Sequence, residues 1–213
     1  MAKRILYIDL ETSGLEPSEG AVILSIGAVI DKVGNKVDKY AEYEAYILPT
    51  PEEWAKASPK ALEVNGLTWE FLQEHGRPFV EVRDEFLAFL YTNGIKEKKA
   101  TIVGQNPNFD AKFLKTFMGS ELAFIAYPFD DIIDVRNLYS SMVNSGKTKF
   151  LKYRSGENIS KSLGVEPEPF PHEALEGAKV VQRNYEKLME LHDEALSERE
   201  PVVDEVVEED EDE

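Results

Sequence analysis

The sequence predicts a mixed α/β domain, one sheet with helices around it and a long helix closing the chain. Three features lead there. β-branched runs follow one another up to Leu48, segments of helical spacing take over from residue 52, and strand and helix patterns alternate again after Ala100.

Arg4-Ile-Leu-Tyr-Ile-Asp-Leu-Glu-Thr-Ser-Gly-Leu15 opens as a buried strand and ends in two carboxylates and a turn. Residues two apart on a strand share a face, so Asp9 and Glu11 are expected to project together while Leu10 points away. Turn formers from Thr12 to Gly20 lead to a second strand over Ala21 to Asp31. A turn at Asn35 connects it to a third over Lys36 to Leu48, and Pro49 and Pro51 end this antiparallel meander. Ser58-Pro59 and Thr68 then mark two helix starts, and Arg77-Pro78 precedes an apolar stripe at Phe79, Val82, Phe86, Phe89 and Leu90. Ala100 to Gly104 is a short buried strand that runs through Gln105-Asn-Pro-Asn-Phe-Asp110 into a helix from Ala111 to Phe117. A strand at Asp131 to Asp134, a helix through Val135, Leu138 and Met142, and another at Asn158 to Leu163 follow. The closing helix is expected from Pro171-His172 onward, with Ala174, Leu175, Ala178, Val181, Tyr185, Leu188 and Leu191 as its apolar stripe.

A chain of 213 residues with 42% apolar content supports one sizeable core. The net charge of −17 is uneven: Glu198 to Glu213 holds ten acids and one Arg, so residues 1–196 read as the domain and 197–213 as a disordered acidic tail. That tail either solubilises the protein or binds a protein partner. The sequence has no cysteine, which excludes disulfides and thiolate metal sites. Only four apolar residues stand between Met-Ala-Lys-Arg and Asp9, too few for a signal peptide, and no apolar run approaches the ~20 residues of a membrane span. The expectation is a soluble, cytoplasmic protein without a membrane partner. Its acidic balance argues against broad binding of nucleic acid through a basic surface. One segment reverses the charge: Lys147, Lys149, Lys152 and Arg154 surround Phe150 and Tyr153. It suits a single-stranded nucleic acid, or else is a solvated loop with its two rings packed inward.

Asp9/Glu11, Asp110 and His172 fall at element ends and form a constellation. Two anions held side by side need a proton, a basic neighbour or a divalent ion. Mg²⁺ and similar hard cations prefer oxygen ligands, and a pair of them can clamp both oxygens of a phosphoryl displacement. His172, unperturbed at a pKa near 6.5, can take a proton from water, or can simply satisfy local hydrogen bonds. A glycosidase needs only two acids and leaves Asp110 and His172 unexplained.

Ile8-Asp-Leu-Glu-Thr-Ser-Gly-Leu15, Val103-Gly-Gln-Asn-Pro-Asn-Phe-Asp-Ala-Lys-Phe-Leu114 and Pro171-His-Glu-Ala-Leu-Glu-Gly-Ala178 resemble, in order, the three motifs of the DEDD-type 3′–5′ exonucleases, histidine subclass. Asn65-Gly-Leu-Thr68 is similar to the region between them. The resemblance spans nearly all of residues 4–190. It implies a ribonuclease H-like fold, a mixed five-stranded sheet flanked by helices, and hydrolysis of nucleotides from a DNA or RNA 3′ end with two Mg²⁺ or Mn²⁺ ions. By position, Asp9, Glu11 and Asp110 resemble the metal ligands, Glu11 and His172 the catalytic pair with His172 as general base, and Thr12, Gly14, Leu15 and Asn106 the substrate contacts.

One position departs from the pattern. The acid expected five residues after His172 is Gly177. A helix interior disfavours Gly by roughly 1 kcal/mol relative to Ala, so helix stability does not explain it. Glu173, one turn earlier on the same face, is the nearer substitute and Glu176, about 100° around, the further one. An impaired exonuclease, or a binding module on an exonuclease scaffold, is the alternative outcome.

Overall fold

A computed structural model describes residues 4–31, 40–95, 100–119 and 129–197. The turn at Asn35 and the acidic tail beyond Ser197 lie outside the described residues. Five strands form one sheet: β1 (Arg4–Thr12), β2 (Ile23–Asp31), β3 (Tyr40–Tyr46), β4 (Ala100–Gly104) and β5 (Phe129–Asp134), in the order β3-β2-β1-β4-β5. β3, β2 and β1 pair antiparallel, as the meander predicts, while β4 and β5 extend the sheet in parallel from β1. This is the expected mixed α/β sheet.

Alternation along β1 divides its side chains between two cores. Leu6, Ile8 and Leu10 enter one with Val82, Phe86 and Leu90 of α4 (Phe79–Thr92) and Phe113, Leu114 and Phe117 of α5 (Pro107–Phe117). Tyr7 enters the other with Val135, Tyr139 and Met142 of α6 (Val135–Asn144), Ile159 of α7 (Gly156–Leu163), and Ala178, Val181 and Leu188 of α8 (Ala174–Ser197). Asp9 and Glu11 continue the Tyr7 face, the face that α8 covers. Burying such side chains stabilises by roughly 1.5–3 kcal/mol each, so α8 is clamped along its length.

Short helices α1 (Pro51–Trp54), α2 (Pro59–Asn65) and α3 (Trp69–His75) link the meander to α4. The sequence reading missed α1, a single turn closed by a Thr50/Glu53 capping box. Thr68 caps α3 as expected, whereas Ser58 makes no side-chain cap to α2. Two helix starts are corrected. α5 begins at Pro107, earlier than Ala111, because proline's fixed φ suits the first helical position. α8 begins at Ala174, later than Pro171-His172, because the His172 N–H donates to Val64 O (3.0 Å) and the Glu173 N–H to the Glu168 carboxylate (3.1 Å).

Phe150 and Tyr153 are exposed, at 81% and 67%, so the inward-packing reading of segment 145–154 fails. Leu151 instead turns toward the core around Tyr139 and Ile159.

Candidate active site

β1 pairs with β4 only over Arg4–Tyr7, and beyond Tyr7 its β4-side edge opens into a cleft of about 720 Å³. The C-terminal ends of parallel strands are where such sheets receive ligands. Asp9, Glu11, Asp110 and His172 all line this cleft, so the structure gathers the predicted constellation. Thr12, Gly14, Leu15 and Asn106 line it as well.

Asp110 lies in the first turn of α5 and is only 3% exposed; its carboxylate accepts from the Leu10 N–H of β1. Burial raises its pKa despite that bond. Asp9 is raised well above the carboxylate range by burial and then by the charges of Asp110, Glu11 and Glu168. Glu11, buried at the end of β1, is pushed up to about 8, first by burial and then by Glu168, with a hydrogen bond from Asn65 opposing the shift. Anions crowded in low dielectric are stabilised by either protons or a metal ion.

His172 sits between α2 and α8. Its backbone is tied to Val64 as described, and Pro171 packs against Gly66, which caps α2 in the left-handed conformation. His172 Nδ1 stands 3.4 Å from Glu168 Oε2, and desolvation lowers its pKa below 6.5. Asn65, only 4% exposed, donates from Nδ2 to Thr12 O (3.2 Å) and accepts at Oδ1 from the Leu67 N–H (3.0 Å). The end of α2 thereby fixes both the end of β1 and the approach of His172.

At the rim, the Thr12 hydroxyl donates to Gly14 O (2.8 Å) and stiffens the turn that leaves Leu15 73% exposed. Asn106 adopts a left-handed conformation (φ 65°, ψ 48°) that only a few per cent of non-glycine residues use. Its N–H donates to Asp134 Oδ1 (3.3 Å), and Arg136, itself paired with Asp134, donates to the Asn106 side chain. This network holds the strained residue where α5 starts.

The helix approaches closely at two glycines. A Cβ on Gly27, the register partner of Asp9, would lie 2.1 Å from the Ala174 carbonyl carbon, so only glycine admits the first turn of α8 there. A Cβ on Gly177 would lie 2.3 Å from Asp9 Oδ2. The Asp9 carboxylate thus presses against the helix at the place where the sequence pattern expects another acid.

A family model described as Exonuclease matches residues 6–183. The chain belongs to the DEDD-type 3′–5′ exonuclease family. Curated relatives include the DNA polymerase III subunit epsilon of Rickettsia prowazekii, 28% identical over 64% of this chain and 56% of that one. The epsilon subunit of Rickettsia typhi is 31% identical over 52% and 42%. The chain spans about half the length of these relatives. Among solved structures, cell-death related nuclease 4 (CRN-4) aligns with a TM-score of 0.70 at 16% identity, covering 89% of this chain and 64% of that one. E. coli Exonuclease I with a dA16 oligonucleotide gives 0.69 at 15%, covering 93% and 44%. The nuclease domain of 3′hExo, a DEDDh family member bound to rAMP, gives 0.65 at 17%, covering 90% and 93%. At these identities the structures share the fold, which is the expected ribonuclease H-like one.

Sequence reading did not find Glu168. Glu11, Glu168 and His172 present ligand atoms that all lie within 4.8 Å of one another, the one such group among the described residues. Glu173 is exposed, and its charge falls on Glu44 and Tyr46 of β3 and on Glu168, while Glu176, whose charge also bears on Glu168, pairs with Lys179 (3.2 Å). Neither of the two expected substitutes joins the group. Glu168 lies in Val165-Glu-Pro-Glu-Pro169, which has no helical or strand period, so only its proximity to His172 in sequence signalled it. The carboxylate oxygens of Glu11 and Glu168 in this group, with those of Asp9 and Asp110 in the same cleft, fit a hard divalent cation.

Proposed function

We propose that this exonuclease-family domain removes nucleotides from the 3′ end of single-stranded DNA or RNA, with two divalent ions, Mg²⁺ or Mn²⁺, in the cleft. The observation that carries the reading is the convergence of Asp9, Glu11 and Asp110 with His172 in that cleft. Asp9, Glu11 and Asp110 would hold the ions. Bound there, the ions supply Lewis-acid stabilisation of charge on the phosphate and its departing oxygen.

The protein's own groups do the rest. His172 keeps Nδ1 toward Glu168, so its other ring nitrogen, Nε2, is the one that takes the proton from the attacking water. A pKa lowered by desolvation keeps the ring neutral at physiological pH, the state a base requires. Leu15, exposed at the rim, wedges against the terminal base. The Thr12–Gly14 turn and Asn106 line the same space and contact the terminal nucleotide.

Single-stranded substrate is supported by segment 145–154. Its exposed Phe150 and Tyr153 offer stacking faces beside Lys149, Lys152 and Arg154, and the Arg154 carbonyl accepts from Gln105 at the cleft (3.4 Å). The dA16 oligonucleotide of Exonuclease I and the rAMP of 3′hExo are consistent with this class of ligand. Relatives that are polymerase subunits extend the reading to a protein partner, for which the acidic tail is a candidate.

End-labelled DNA and RNA oligonucleotides, incubated with the protein in Mg²⁺ or Mn²⁺, test the activity. Stepwise shortening from the 3′ end is expected, abolished by Asp110→Asn. Gly177 favours a second reading, a module that binds 3′ ends without turnover. Tight binding of the same oligonucleotides with no product in either metal would establish that reading and refute the first.

A further inference from the structure

We propose that Glu168 replaces the carboxylate that Gly177 lacks, so that the loop before α8, and not α8 itself, completes the acidic shell of the metal site. This rests on the metal-dependent reading above. Two independent observations carry it. The first is the space at position 177. Asp9 Oδ2, Cγ and Cβ would lie 2.3, 2.8 and 3.2 Å from a Cβ there, so the Asp9 carboxylate occupies the volume a side chain on the helix would need. Restoring an acid at 177 requires Asp9 to move.

The second is where the loop delivers its acid. Val165 N–H donates to Ser160 O (2.9 Å) and His172 N–H to Val64 O (3.0 Å), which anchors both ends of the segment. Glu168 Oε1 accepts from the Glu173 N–H (3.1 Å), and Oε2 is thereby turned to the side of His172 Nδ1 (3.4 Å). The side chain is only 17% exposed, its charge bears directly on Asp9 and Glu11, and it belongs to the group of ligand atoms with Glu11 and His172. A backbone N–H that fixes one carboxylate oxygen leaves the other pre-oriented, as outer-shell hydrogen bonds do for metal-bound carboxylates. The charges of Glu173 and Glu176 reach Glu168, but neither belongs to the group of ligand atoms with Glu11 and His172.

Calorimetric titration of Mn²⁺ into the metal-free protein at fixed pH tests this without reference to turnover. Wild type, Glu173→Gln and Glu176→Gln are expected to bind two ions alike. In the near-isosteric Glu168→Gln, one of the two events is lost, or weakened by at least the roughly 10–100-fold that loss of even an outer-shell partner brings. An unchanged isotherm for Glu168→Gln overturns the inference while leaving the exonuclease reading intact, and marks Glu168 as a partner of His172 only. Absence of any Mn²⁺ binding by the wild type overturns both. Circular dichroism melts of each variant establish that the comparison is between folded proteins.

Discussion

His172 is held by its backbone, outside any helix, and by a carboxylate against Nδ1, an arrangement that fixes the ring while leaving its side chain 42% exposed. Removing a general base typically lowers the rate by about 10²–10⁴-fold. His172→Ala is therefore expected to reduce kcat by about 10²–10⁴-fold on a single-stranded oligonucleotide while Mn²⁺ affinity is retained. Desolvation lowers the His172 pKa, so with saturating metal the acidic limb of kcat/KM should fall below pH 6.5 and vanish in the variant. A wild-type limb above pH 6.5, or one that persists in His172→Ala, would assign the proton transfer to another group. Asp9 illustrates the opposite situation. It is bounded by the helix at Gly177 and by Asp110, Glu11 and Glu168, so its position is set by its neighbours on every side.

At the level of elements, the site is the meeting point of an open strand end and three helix starts or ends. β1 supplies Asp9 and Glu11 where its pairing with β4 stops, α5 turns Asp110 back to the Leu10 N–H, α2 ends at Asn65 and α8 begins beside His172. Segment 145–154 between α6 and α7 stands apart from that chemistry and has its own consequence. A single strand contributes about 0.7 released counterions per neutralised phosphate. Lys149→Ala/Lys152→Ala should therefore flatten the slope of log affinity against log salt by about 1.4 for single-stranded DNA, with hydrolysis of a dinucleotide unaffected. Phe150→Ala/Tyr153→Ala should weaken long oligonucleotides at all salt concentrations, since stacking carries no counterion. An unchanged salt slope in the lysine variant, measured by fluorescence anisotropy, would remove this segment from the substrate path.

Across the whole molecule, the acidic cleft links stability to pH and metal. Glu11 is raised from 4.5 to about 8 and Glu168 to about 7, and Asp9 and Asp110 are raised as well. The folded state thus binds protons that the unfolded chain releases near its ordinary carboxylate pKa. The stabilisation is full below about pH 4.5 and is lost as pH rises toward 8. In EDTA the Tm should fall from pH 5 to pH 8, and Mn²⁺ should restore more of it at pH 8 than at pH 5. An ion at 100 times its Kd adds about 2.7 kcal/mol. A Tm in EDTA that is flat or rises over this range would contradict the raised carboxylates.

Strand and helix order, the shared face of Asp9 and Glu11, and the three motifs were legible in the chain because each depends on local periodicity or short spacing. The sequence determined by itself which acids and which histidine were candidates, and that position 177 lacks one. Only the tertiary structure brought Glu168 beside Glu11 and His172. Glu168 comes from an aperiodic loop anchored to α7 and α2, Asn65 reaches Glu11 across 54 residues of chain, and the helix lies on the sheet at Gly27 and Gly177. Those relations are set by packing between distant segments, which no pattern along one segment encodes. For the same reason the outward turn of Phe150 and Tyr153 is a property of the tertiary structure, in which Leu151 takes the inner position.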